Sequence, residues 1–232
     1  ELLKEYSPCV EQYSVDEAFC DMTGTAHLYG SPVAAANLIK DRILKELGFT
    51  VNIGISTNKV LAKMASDFKK PNLVHTLFPE EIESKLWVLP VDELFYVGHA
   101  TKRKLHALGI HTIGELAKTD LDILRAHFKK FGQIIYAFAN GIDMSVVSDE
   151  PPKNKGYGNS TTIAFDVDRP DTAKMILLSL AETVCTRLRA DNAMASVVAV
   201  GIVNNEFKHE THQMTLFSPT NITNEVHRDA CI

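Results

Sequence analysis

A chain of 232 residues, 45% hydrophobic and 23% charged, can bury two or three compact cores and is neither disordered nor fibrous in composition. No apolar run reaches the roughly 20 residues of a membrane helix, nothing resembles a signal peptide, and four scattered cysteines without a C-x-x-C pair read as reduced thiols of a cytoplasmic protein. A net charge of −5 gives no general affinity for phosphate, so contact with a nucleic acid needs local clusters of Lys and Arg.

In chain order, residues 9–15 and 17–23 read as two strands, with Asp16-Glu17 where they meet. Ser31-Pro32 opens a helix by N-cap and first-turn proline, Ala35, Leu38, Ile39, Ile43 and Leu47 keep helical spacing, and Gly48 stops it. Thr50 to Ser56 is a short buried strand. Asn58 caps a second helix that runs to about Phe68 and is ended by Lys70-Pro71. Strands alternating with helices against one sheet predict an α/β layer over residues 1–78. Residues 79–147 are helical, with candidates at 80–87, 99–108, 112–118, 120–127 and 130–139. A polar, proline-containing linker follows at 148–155. Beyond it, over 156–232, come strand 156–166, helix 171–190, strands 195–203 and 207–217 turning at Asn204-Asn205, and a helix starting near Asn221. The fold class is α+β, in several domains.

Two adjacent carboxylates between apolar residues, Ser14-Val15-Asp16-Glu17-Ala18-Phe19, are costly unless a positive charge sits beside them, and a divalent cation is the usual solution. The bland alternative is a polar hairpin turn with two solvated acids. Downstream, Asn58-Lys59-x-x-Ala62-Lys63-x-Ala65-Ser66-x-x-x-Lys70-Pro71 sets Lys63 and Lys70 at i and i+7 of one helical face, where the alternative is an exposed amphipathic surface.

Acid pair followed by lysine helix resembles the palm of the Y-family (translesion) DNA polymerases, and is most similar to the bacterial UmuC-like group. The resemblance implies a partial palm, a helical thumb and a little-finger domain acting on primer-template DNA and deoxynucleoside triphosphates in DNA repair. It implies that Asp16 and Glu17 bind two magnesium ions, that Lys70 reaches the triphosphate, and that Lys63 contacts substrate or DNA. Phe95-Tyr96-Val97-Gly98-His99-Ala100-Thr101-Lys102-Arg103-Lys104-Leu105 resembles the family's helix-hairpin-helix. There Gly98 permits close approach of phosphate and Lys102, Arg103 and Lys104 add charge. The family pattern also has glycine where Tyr96 stands. Residues 153–165 resemble the opening strand of the little finger, with Ser160, Thr161 and Thr162 as donors to DNA and Lys153 and Lys155 at its entrance. Gln213-Met214-Thr215-Leu216-Phe217 fits a sliding-clamp peptide, but it falls where the resemblance expects a strand of the little-finger sheet, and its alternation favours a packed strand.

In the family, the third metal-binding Asp, the aromatic that excludes ribonucleotides and the fingers lie N-terminal to the Ser-x-Asp-Glu motif. The resemblance therefore implies a fragment, truncated in the little finger as well, that does not polymerise alone although its parent does. The alternative is a non-catalytic DNA-binding or regulatory module on a polymerase scaffold.

Overall fold

The computed structural model describes residues 1–150 and 154–231. It forms two units, Glu1–Pro151 and Pro152–Ile232, each with its own hydrophobic core.

In the first unit, β1 (Cys9–Gln12) and β2 (Ala18–Asp21) form an antiparallel hairpin registered from Cys9 opposite Asp21 to Gln12 opposite Ala18. Helix α1 (Pro32–Leu47) starts where the Ser31 hydroxyl accepts from the Ala34 amide at 3.1 Å. It stops at Gly48, whose φ of 77° is the left-handed conformation glycine adopts without Cβ strain. Strand β3 (Ile53–Ile55) pairs in parallel with β4 (Val74–Thr76), a strand the sequence reading did not foresee. Among the described residues no ladder joins this pair to the β1–β2 hairpin, so the single sheet expected over 1–78 is two separate two-stranded pieces.

Helix α2 (Lys59–Asp67) connects β3 to β4 and packs on them. Its N-terminus is capped twice. The Asn58 side-chain oxygen accepts from the Leu61 amide at 3.0 Å and the Asp143 carboxylate from the Val60 amide at 3.2 Å. Val60, Leu61, Met64 and Ala65 make a buried stripe, the larger three each stabilising the fold by roughly 1.5–3 kcal/mol. Gly54 allows the close approach of β3, because a Cβ there would lie 1.9 Å from the Ala62 carbonyl oxygen and 2.5 Å from the Ser66 amide. Asn52 then fixes the exit of α2. Its amide donates to the Ser66 and Lys69 carbonyls at 3.1 and 2.7 Å, and its oxygen accepts from the Leu73 amide at 3.1 Å.

In place of the helix expected over 80–87, a short 3-10 turn (Pro79–Glu81) and a wide π turn (Ile82–Leu86) form. Four helices follow close to the expected bounds: α3 (His99–Ala107), α4 (Ile113–Lys118), α5 (Leu121–Phe128) and α6 (Lys130–Ala139). One core runs from Val60 and Leu61 of α2 through Leu77, Leu86 and Leu105 to Leu124 and Ile135, so α2 and the helical stretch share their interior.

In the second unit, α7 (Pro170–Ala190) and α8 (Thr223–Ala230) pack with the antiparallel ribbon β5 (Ala195–Val203) and β6 (His209–Thr220). The turn spans residues 204–208, where the Asn204 side chain accepts from the Glu206 and Lys208 amides. The strand expected over 156–166 is not formed. β5 and β6 pair only with each other, and residues 154–169 have no ladder partner among the described residues. No described helix is long and apolar enough to cross a membrane.

Candidate active site

The acid pair lies at the tip of the β1–β2 hairpin. Its turn is closed by the Tyr13 and Ser14 amides donating to the Glu17 carbonyl at 2.9 and 3.1 Å, and the Ser14 hydroxyl donates to Asp16 Oδ1 at 2.7 Å. Burial expected from the apolar flanks does not follow. Asp16 is exposed and Val15 is 96% exposed, because alternation along the strands ends where the chain reverses. The cost of the paired charges is met from another direction.

Helix α2 lays Lys59, Lys63 and Asp67, spaced by four residues, along the side facing the hairpin. Lys63 Nζ sits 2.7 Å from Glu17 Oε1 and 2.8 Å from Asp67 Oδ2, with its side chain only 15% exposed. Lys70 Nζ reaches Asp67 Oδ1 at 2.9 Å, and Lys59 pairs with Glu11 at 2.9 Å. Burial depresses the Lys63 ammonium, but its bonds to Asp67 and Glu17 outweigh that and raise it. Burial alone would raise the Asp67 carboxyl; hydrogen bonds from Lys63 and Lys70 overcome this and hold it below 3.8. An alternating ladder, Glu17, Lys63, Asp67, Lys70, runs from the hairpin to the end of the helix.

Two expectations change. Helix α2 ends at Asp67, so Lys70 lies beyond it and the i to i+7 spacing does not place it. Lys70 returns to the ladder through Asp67 and stays 63% exposed, within reach of an external anion. Lys63, read as a substrate or DNA contact, has its ammonium on two carboxylates and holds Glu17 in place. The sequence reading missed Glu11, Lys59 and Asp67. The period of four would have found Lys59 and Asp67, but only the hairpin register brings Glu11 opposite Lys59.

Asp16 and Glu17 offer hard carboxylate oxygens on adjacent residues, and magnesium is held by one or two carboxylates together with substrate phosphates and water. The donor set fits that ion. Among the described residues no group of three or more His, Cys, Asp or Glu side chains gathers to hold a metal.

Ahead of α3, Gly98 occupies the N-cap with open space around it, and the first-turn amides have no carbonyl within the helix. Arg103 and Lys104 are exposed, whereas Lys102 is paired with Asp92 at 2.7 Å and so adds less free charge than expected. Tyr96 takes a φ of 75°, the left-handed conformation for which glycine is favoured. Lys155, Ser160, Thr161 and Thr162 are exposed on the irregular segment, and Lys153 lies outside the described residues. Gln213–Phe217 belongs to β6, with Thr215 opposite Val197 and Leu216 in the core. The strand reading of that segment holds, and a free clamp peptide does not.

Residues 1–67 match the impB/mucB/samB family, residues 154–232 match its C-terminal domain, and residues 92–143 match the thumb domain of DNA polymerase iota. The chain belongs to the Y-family DNA polymerases. It is 44% identical to a DNA polymerase IV of Clostridium acetobutylicum over 97% of its own length and 57% of the relative's. It is 38% identical to DNA polymerase IV 2 of Bacillus subtilis over 97% and 57%. The chain thus spans little more than half the length of these Y-family relatives. A Y-family polymerase chimera of Dbh and Dpo4 shares its fold with a TM-score of 0.82 at 21% identity, covering 99% of this chain and 66% of the other. An insertion ternary complex of Dbh DNA polymerase matches with a TM-score of 0.60, also at 21% identity and over the same shares. Partial palm, helical thumb and little finger are the parts of that fold present here.

Proposed function

We propose that this chain carries the acidic turn and triphosphate lysine of a translesion DNA polymerase, which extends a primer 3′ end with deoxynucleotides copied from a template. The observation that carries the reading is the ladder that sets Glu17 against Lys63 and presents Lys70 beyond Asp67. Asp16 and Glu17 would hold the magnesium ions, which when bound supply charge stabilisation to the attacking and leaving oxygens of phosphoryl transfer. Glu17 enters that role already oriented by Lys63, and the Ser14 hydroxyl fixes one oxygen of Asp16. Lys70 exchanges its exposed pair with Asp67 for the triphosphate and offsets its charge. The open Gly98 turn, Arg103 and Lys104 take the duplex phosphates, while Lys155 and Ser160 to Thr162 contact the template-primer from the second unit.

Among the described residues no group of three or more His, Cys, Asp or Glu side chains gathers to hold a metal, which supports the further proposal that these 232 residues alone do not polymerise. Primer extension with magnesium and four deoxynucleotides, on undamaged and abasic templates, tests both statements. We expect extension by the whole reading frame, loss in Asp16→Ala and in Glu17→Ala, and none by the 232 residues. Activity surviving in both variants would defeat the site assignment, and robust extension by the 232 residues would defeat the second statement. Duplex binding without extension in every form would favour the non-catalytic module.

A further inference from the structure

The acidic hairpin is tied to the helix-hairpin-helix turn by aromatic rings. Tyr13, four residues before Glu17, meets Phe19 edge-on at 5.4 Å and Phe95 at 5.9 Å. Phe95 stacks on Tyr96 at 4.4 Å, and Tyr96 on Phe138 of α6 at 5.7 Å. At the centre, the Tyr13 and Tyr96 hydroxyls share a hydrogen bond of 3.2 Å. Five rings and one polar contact join the β1–β2 hairpin, the turn before α3, and α6.

Tyr96 is an unexpected residue for this task. Its left-handed φ of 75° strains a side-chain-bearing residue. Two stacked partners, Phe95 and Phe138, offset that strain. Glycine would have relieved the strain without building the column. Tyr13 is likewise bound into the acid turn, since its amide and that of Ser14 donate to the Glu17 carbonyl.

We propose that the Tyr13–Tyr96 hydroxyl pair is a positioning device that sets the acid turn at a fixed distance from the phosphate-binding turn before α3. The inference rests on the polymerase reading for its purpose, because a primer end must meet Asp16 and Glu17 while its duplex phosphates rest on Gly98. The bond itself can be examined without that reading.

The experiment uses Tyr13→Phe, Tyr96→Phe and the double variant, which keep every ring and remove only hydroxyls. Amide hydrogen exchange is followed at Tyr13 and Ser14 on one side and at Val97, whose amide donates to the Leu94 carbonyl, on the other. Tyr96→Phe should speed exchange of the Ser14 amide, and Tyr13→Phe that of Val97, by about fivefold, the equivalent of one hydrogen bond. The double variant should be no faster than either single one.

In primer extension by the whole reading frame, each variant should lower the single-turnover insertion rate by about three- to tenfold, with duplex affinity unchanged within twofold. Exchange that accelerates only on the mutated side, or additive effects in the double variant, would overturn the coupling. A loss of duplex affinity equal to the loss of rate would overturn positioning in favour of direct DNA contact. If the wild-type frame neither binds nor extends primers, the polymerase reading fails and the exchange results alone judge the pair.

Discussion

Replacing Lys63 by Met keeps the aliphatic stem and removes the charge that Glu17 and Asp67 share. Its ammonium makes pairs of 2.7 and 2.8 Å from a side chain that is 15% exposed, to carboxylates that are 38% and 42% exposed. Exposed ion pairs contribute about 0–1 kcal/mol each, and breaking a fully buried pair costs about 3–5 kcal/mol. This half-buried triad falls between those limits, so Lys63→Met should cost about 2 kcal/mol at pH 7. With a urea slope of about 1–3 kcal/mol per molar, the unfolding midpoint should fall by about 1 M.

The pH dependence separates charge from packing. The folded-state Asp67 carboxyl is held below 3.8, so its contribution is fully present above that value and is lost as pH falls through the folded value. The penalty of Lys63→Met should therefore shrink as urea unfolding is repeated at successively lower pH below 3.8. An equal loss at neutral and acid pH would mean the lysine stem packs and its charge does not matter. A loss under about 0.5 kcal/mol at pH 7 would place the ladder among ordinary surface pairs and refute the reasoning.

Other consequences follow from the backbone and the ladder. Gly54→Ala should destabilise the first unit by about 3 kcal/mol or more in urea, since its Cβ would meet backbone atoms of α2 that cannot step aside; a normal midpoint would contradict the close approach. Lys129 adopts a φ of 55° and ψ of −132°, so Lys129→Gly should relieve strain and gain about 1 kcal/mol net of glycine's entropy. That gain would raise the melting temperature by about 2–4 °C, and a lower melting temperature would show that the lysine side chain stabilises the turn. Lys70→Ala should leave the urea midpoint almost unchanged because its pair is exposed, while raising the triphosphate concentration needed for half-maximal extension by the whole reading frame. An unchanged requirement would remove Lys70 from the site.

Much of this molecule was legible in the sequence because local rules decide it. Ser31-Pro32, Gly48 and Asn58 mark helix ends by hydrogen bonds to near neighbours, and α1 and α2 start and stop almost where those residues say. The hairpin bearing Asp16-Glu17 was equally readable, since two apolar runs around a polar pair turn back on each other. What failed were inferences that need a partner. A strand at 156–166 requires a ladder neighbour that no periodicity can supply, and β4 was too short to show one.

The sequence by itself determined which residues carry chemistry: two adjacent acids, lysines near them, and a glycine turn before a helix. Only the tertiary structure decided how those charges are settled. Asp16 is exposed, Glu17 is half-buried against Lys63 at 2.7 Å, and Lys70, beyond the helix, keeps its ammonium outside. The same holds for Tyr13 and Tyr96, 83 residues apart and joined at 3.2 Å. Spacing along a chain fixes a face of a helix or strand, but which faces meet depends on long-range packing of cores such as that running from Val60 to Ile135.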